Sequence, residues 1–234
     1  MSESSEGPAV KKTIPLNFVQ KAMVKSMSAS VNEMALAQMN RELDMTALKS
    51  LRQEKLSQTT FRVSLNTLIM AAVARTVPAH PMLNAKLQDK QIVFYDPVNL
   101  GMAVATPNGL IVVVIPGADQ LKLSELSEAI EGLRQRVSSG KLDLRDIEGG
   151  TFTVSNLGMY GVDSATPIPK PTESAIVLFG AIRPRPAVVD GKLEIRDTCW
   201  ATLTYDHRFI DGATAAAFLD DLFNLLASPA SLAD

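Results

Sequence analysis

Thr204-Tyr205-Asp206-His207-Arg208-Phe209-Ile210-Asp211-Gly212 follows the alternating run Trp200-Ala201-Thr202-Leu203-Thr204 and precedes Ala213 to Leu226. The alternation predicts a strand, and the apolar spacing after Gly212 predicts a helix. The nonapeptide is therefore a strand-to-helix turn that delivers a histidine, with an aspartate four residues on. Gly212 permits a close or left-handed backbone at the helix entrance. Histidine side chains titrate near neutral pH and can take a proton from a thiol or hydroxyl and return it. A histidine between two aspartates also describes a surface ion pair, and spacing alone does not choose between the two.

The rest of the chain alternates helices with hairpin strands. Leu16 to Met27 carries Phe18, Val19, Ala22, Met23 and Met27 at helical spacing, with Asn17 as N-cap. Met34 to Leu43 admits a strand, and Asp44 caps a helix from Met45 to about Leu56. Ser64 caps an apolar helix from Leu65 to Val77, which Pro78 and Pro81 end. His80, in that turn, reads as a solvated loop residue. Leu83 to Leu87 and Gln91 to Tyr95 are short strands joined at Asp89-Lys90, and Val98 to Ala105 and Leu110 to Ile115 form a hairpin around Pro107-Asn108-Gly109. Leu126, Ala129, Ile130, Leu133 and Val137 make one face of a helix from Ser124 to Gly140. Thr151 to Ser155 is a strand, Asn156 to Thr172 a loop, and Ser174 to Ile182 a central strand. Asp190-Gly191 marks another hairpin. The apolar face of the last helix reads as core or subunit interface. This pattern predicts an α+β sandwich.

Composition excludes several classes. With 234 residues, 46% of them hydrophobic, the chain can bury a substantial core. A net charge of −2 gives no electrostatic argument for nucleic acid or an anionic membrane. No apolar run is long enough to span a bilayer. Cys199 is the single cysteine, so no intrachain disulfide can form, which is consistent with a reducing compartment. It reads as a small buried hydrophobe on a strand rather than as a nucleophile or metal ligand. Met1 to Gly7 is polar and acidic, without the pattern of a secretion signal or transit peptide. The expectation is a disordered tail or linker stub over residues 1–13, a single domain over 14–234, and a cytoplasmic location.

Asp206-His207-Arg208-Phe209-Ile210-Asp211-Gly212 resembles the D-H-R-x-x-D-G signature of the catalytic domain of dihydrolipoamide acyltransferases, the core components of 2-oxo acid dehydrogenase complexes. Two further blocks carry the resemblance, Gly150-Thr151-Phe152-Thr153-Val154-Ser155-Asn156-Leu157-Gly158-Met159-Tyr160-Gly161-Val162-Asp163 and Asn99 to Leu110, so that it covers about Ile14 to Leu232. It implies the mixed-sheet sandwich of chloramphenicol acetyltransferase. It also places Asp89-Lys90 inside a catalytic domain, so that turn is not a lipoylation site.

The resemblance implies acyl transfer between the thiols of dihydrolipoamide and coenzyme A. His207 matches the family's general base and Ser155 the serine whose hydroxyl donates to the oxyanion, a contribution worth about 3 kcal/mol of barrier. Read without the resemblance, Ser155 is a strand-end residue bonding its own backbone. Asp211 matches the residue that holds the histidine loop, which in many relatives pairs with an arginine on the first helix. Here that position is Gln20, leaving Asp211 to pair with Arg208 or Lys21 or to accept neutral hydrogen bonds. Val112 to Pro116 and Ile168-Pro169-Lys170 also depart from the family pattern. The resemblance further implies a homotrimer with sites between subunits, a lipoyl group brought by another domain or chain, other components of the complex as partners, and no metal. No lipoyl domain or peripheral-subunit-binding domain is present in the 234 residues, and Leu232 is the one candidate for an apolar C-terminal anchor, so the trimer is expected to assemble further weakly or not at all. Ser155-Asn156-Leu157-Gly158 favours acetyl or branched-chain acyl groups over succinyl. The alternatives are a core protein that has lost activity and an acetyltransferase acting on another small acceptor.

Overall fold

The computed structural model describes residues 8–107 and 109–233. Most of the tail expected at the N-terminus, and Asn108 of the expected hairpin turn, lie outside them. The elements run α1 (Phe18–Glu33), β1 (Leu36–Asp44), α2 (Thr46–Gln58), α3 (Leu65–Thr76), β2 (Ala85–Gln88), β3 (Gln91–Phe94), β4 (Leu100–Thr106), β5 (Gly109–Ile115), α4 (Leu123–Ser139), β6 (Phe152–Asn156), β7 (Ala175–Phe179), β8 (Arg183–Val189), β9 (Lys192–Asp206) and α5 (Gly212–Ala227).

The caps expected at Asn17, Ser64 and Gly140 form. Asn17 accepts from the Gln20 N–H at 2.8 Å while Gln20 Oε1 accepts from Asn17 N–H at 3.0 Å, closing a capping box on α1. Ser64 accepts from Thr67 N–H at 3.0 Å, whereas α2 has Met45 and not Asp44 at its N-cap, and Asp44, one residue outside, accepts from Thr46 N–H at 2.8 Å. Gly140 ends α4 in the left-handed conformation, with φ 66°. α1 runs six residues past the expected Met27, because its exposed polar second half has no apolar periodicity to report it.

The main sheet has the order β1-β9-β7-β6-β4-β5, with β8 pairing the free half of β9. β4, β6 and β7 are parallel, and the other pairs are antiparallel. β2 and β3 form a separate hairpin, turned by Asp89 and Lys90 at positive φ. On one face Leu43, Leu203, Val177, Val154 and Phe152 are buried, and the Phe152 ring lies 5.6 Å from Phe218 of α5. By strand alternation, Thr153, Ser155, Ile176, Leu178, Thr202 and Thr204 face the other way.

The loop from Gly161 to Thr172 is ordered. Pro167 and Pro169 are buried, and the Ser30 hydroxyl of α1 donates to the Pro169 carbonyl. Ala181 N–H donates to the Val162 carbonyl at 2.8 Å, and Asp163 is held by Arg183 at 2.9 Å and Arg185 at 3.1 Å. Glu173, fully buried where this loop enters β7, takes the Thr153 hydroxyl on Oε2 at 2.5 Å, while its Oε1 has no hydrogen bond. Burial pushes its carboxyl above the ordinary value of 4.5, and Lys170 Nζ at 3.6 Å works against that as a smaller effect.

Two expectations are corrected here. His80 is not solvated: it is buried, with Nε2 2.8 Å from Asp221 Oδ2 and its ring edge-on to Phe218 at 5.6 Å. The two prolines turn the chain back against α5, a contact that local sequence does not contain. Leu232 is not free to anchor another molecule, because it is buried in its own chain's core.

Two outcomes test this account. A Cβ at Gly180 would sit 1.8 Å from the Asp163 carbonyl oxygen, so Gly180→Ala must displace the loop; we expect a loss of about 3 kcal/mol in denaturant unfolding. Because Glu173 holds its proton more tightly folded than unfolded, its contribution is fully present below the ordinary carboxylate value and is lost as pH rises through the folded one. The stability of the wild type relative to Glu173→Gln should therefore decline as pH rises above the ordinary carboxylate value, and a flat difference would show that the carboxyl is not held protonated.

Candidate active site

β4 and β6 pair only from Leu100↔Phe152 to Met102↔Val154. Beyond that rung β4 continues to Thr106 beside β5, and β6 continues to Asn156 beside β7. The two strands part, and a cavity of about 650 Å³ opens between them and the first turn of α3. Ser155 lies on its wall, among Asn66, Met102, Asn156, Leu157 and Tyr160. Arg62 and Arg134 also line it, and Arg134 is locked to Glu131 by two hydrogen bonds of 2.9 and 2.7 Å. The Ser155 hydroxyl has no hydrogen-bond partner among the described residues, so the self-bonded strand-end alternative is not what the structure contains.

His207 stands elsewhere. β9 is antiparallel to β7, so its C-terminal end lies at the opposite end of the sheet from that of β6. Ser155 shares a rung with Leu178 and Thr202, five residues short of His207. At about 3.3 Å per residue, this puts roughly 17 Å between them along the strand axis alone. The chain does not bring these two candidate residues together.

The turn that carries His207 is held by Asp206. This buried carboxylate accepts from the Arg208 backbone at 3.1 Å and from its guanidinium at 2.6 to 3.0 Å. Asp206 N–H donates to the Ser174 carbonyl at 2.9 Å, and Ile210 N–H returns to the Asp206 carbonyl at 3.1 Å. His207 N–H donates to the Ala35 carbonyl at 2.8 Å, while its ring, exposed, lies 5.5 Å from that of Tyr205. Arg208 is thus committed to Asp206. Asp211 takes the neutral option: it caps α5, accepting from Thr214 N–H at 2.7 Å. The Thr214 backbone and hydroxyl hold its carboxyl below the ordinary carboxylate value, with Ala213 N–H and the nearby His207 adding smaller effects. Gln20 is occupied by its own capping box.

Cys199 is buried on β9, and burial pushes its thiol up to about 12, which makes it a packing residue. No group of three or more His, Cys, Asp or Glu side chains among the described residues is arranged to hold a metal. Asn66 and the two cavity arginines escaped the sequence reading, because they come from segments with no motif and meet only when α3 and α4 pack.

Residues 8–233 match the family described as 2-oxoacid dehydrogenases acyltransferase (catalytic domain). A Haemophilus influenzae succinyltransferase component of the 2-oxoglutarate dehydrogenase complex is 32% identical over 225 residues, covering 94% of this chain and 55% of its own. A Mycoplasma capricolum acetyltransferase component of the pyruvate dehydrogenase complex is 36% identical over 224 residues, covering 94% and 51%. The chain spans about half the length of these curated relatives. A crystal structure of Azotobacter vinelandii dihydrolipoamide acetyltransferase, from a study of the role of a serine, a histidine and an asparagine in its catalytic mechanism, superposes with a TM-score of 0.90 at 28% identity, covering 97% of this chain and 98% of that one. A chloramphenicol acetyltransferase, at 16% identity and a TM-score of 0.57 over 86% and 94% of the two chains, shares the fold. The chain belongs to the 2-oxoacid dehydrogenase acyltransferase family, as a catalytic domain of the chloramphenicol-acetyltransferase-like fold.

Proposed function

We propose that this protein transfers an acyl group between the thiol of dihydrolipoamide and that of coenzyme A, as the core component of a 2-oxo acid dehydrogenase complex, and that residues 14–234 are its catalytic unit. The observation that carries this is the free Ser155 hydroxyl on the wall of a substrate-sized cavity, together with a His207 turn locked from every side. In the Azotobacter enzyme, the serine and histidine under study stand as far apart in sequence as Ser155 and His207 do here. The asparagine stands four residues past that histidine, where this chain has Asp211.

The chemistry follows from the groups present. His207 takes the proton of the attacking thiol as sulfur bonds to the thioester carbon. The Ser155 hydroxyl donates to the oxygen that becomes an oxyanion, and collapse of the tetrahedral adduct expels the second sulfur, which recovers the proton from His207. Because one chain holds the two residues far apart, the working site needs His207 of one subunit beside Ser155 of another, in a homotrimer. The exposed apolar residues Ile14, Leu16, Phe18, Val24 and Val31, leading into and along α1, support such a contact. A lipoyl-bearing domain from another chain region or protein, and other components of the complex, are the remaining partners; the proposed compartment is the cytoplasm, on the single unpaired cysteine.

Acetyl or branched-chain transfer is our preference over succinyl, on the Ser155-Asn156-Leu157-Gly158 run; relatives of both kinds match, and rates with the three acyl donors decide it. An inactive core protein loses its main motive, since Asp211 is satisfied without an arginine at position 20. None of Val112 to Pro116 or Ile168 to Lys170 lines the cavity. Competition between dihydrolipoamide and other small acceptors separates the reading of a different acetyltransferase.

Purified chain should exchange acyl groups between coenzyme A and dihydrolipoamide, and His207→Ala and Ser155→Ala should each lose that activity. Coexpressing the two inactive variants should restore roughly a quarter of wild-type turnover, because random mixing leaves that share of interfaces with both residues intact. No recovery from well-assembled mixed oligomers would place both residues in one subunit's site. Asp211→Asn, which retains an N-cap acceptor, should keep turnover within about threefold, whereas Asp211→Ala should lose much more.

A further inference from the structure

The cavity wall beside Ser155 has an unusual construction. Past the Met102↔Val154 rung, Ser155 and Asn156 still pair with Leu178 and Phe179 of β7, but their other side has lost β4. A strand end with one neighbour is free to bend, yet an oxyanion donor must be held within about 0.5 Å of its working position. Since the Ser155 hydroxyl has no hydrogen bond of its own, its direction is set by the backbone that carries it.

Side chains bridge the gap. Asn156 Nδ2 donates to Asn66 Oδ1 at 3.3 Å, and Asn66 Nδ2 reaches Met102 Sδ at 3.4 Å. On its other atom, Asn156 Oδ1 accepts from Gly158 N–H at 2.9 Å, and Leu157 N–H donates to the Phe179 carbonyl at 3.0 Å. The Gly158 bond requires Oδ1 on that side of the Asn156 amide, which turns Nδ2 toward Asn66. A Cβ on Gly158 would lie 2.8 Å from the Gly180 carbonyl, so the turn is also pressed against the end of β7. The first turn of α3 and the last paired residue of β4 are thereby tied to the residue after Ser155.

We propose that Asn66, acting through Asn156, is a positioning residue for Ser155: the two amides replace the missing β4 pairing and hold the end of β6 in register across the open cavity. This rests on the reading of Ser155 as oxyanion donor. Asn66 touches neither reacting sulfur nor carbonyl in this role, so its loss acts on kcat rather than on substrate affinity.

The test uses the full chain in its assembled state, with Asn66→Ala and Asn66→Asp, the second keeping an acceptor for Asn156 Nδ2. Two quantities are measured, steady-state acyl transfer and hydrogen exchange at the Gly158 amide. Asn66→Ala should lower kcat about tenfold with KM within about twofold, and should speed Gly158 exchange about tenfold. Asn66→Asp should restore slow Gly158 exchange, since the acceptor for Asn156 Nδ2 is kept, but not kcat, since it sets a negative charge on the wall that carries Ser155. If the wild type transfers acyl groups and Asn66→Ala matches it, or if KM alone rises, the positioning proposal fails and the acyltransferase reading stands. If the wild type transfers none, the acyltransferase reading fails; in that case unchanged Gly158 exchange in Asn66→Ala overturns the clamp as well, and accelerated exchange upholds it.

Discussion

The antiparallel run of β9 against β7, beside the parallel run of β6, is the constraint on which the functional architecture depends. Reactive side chains emerge most readily where a strand stops, because the ladder no longer claims the backbone there. Two strands that run in opposite senses through one sheet stop at opposite ends of it. Ser155 and His207 consequently stand as two candidate half-sites at opposite ends of the sheet, which the proposed function joins by subunit association.

Each half is organised around a different physical device. At His207 it is charge: the buried Asp206 carboxylate would be costly alone, and Arg208, through its guanidinium and its backbone N–H, offsets that cost while fixing the turn. Around Ser155 it is geometry, since the parting of β4 and β6 opens the cavity and deprives the serine of one neighbouring strand. Neutral amides, those of Asn156 and Asn66, span the space. The same economy explains Asp211, whose partners are a backbone N–H and a hydroxyl rather than an arginine.

The sheet face that carries Ser155 is more polar than an ordinary core. The Thr202 and Thr204 hydroxyls are buried without a hydrogen-bond partner, and Glu173 lies fully buried nearby with one oxygen unbonded. Groups of this kind cost on the order of 1–3 kcal/mol each. The loop from Gly161 to Thr172 leads into Glu173, and its ties to Arg183, Arg185, Ser30 and Ala181 hold it in place. A glycine at position 180 is what lets that loop lie against the end of β7.

Local sequence determined a great deal here. Periodicity placed the strands and helices, Asn17, Ser64 and Gly140 bounded helices through bonds made within four residues, and the ordered blocks around Ser155 and His207 identified the family. These are short-range facts, recoverable from neighbours in the chain. What lay beyond them depended on contacts between distant segments: that His80 is buried against α5, that Asp211 is content with Thr214, that Leu232 belongs to the core, and that Asn66 meets Asn156 across the cavity. The separation of Ser155 from His207 is of the same kind. Strand direction is a property of the assembled sheet, so only tertiary structure could show that residues belonging to one motif set stand at its two ends.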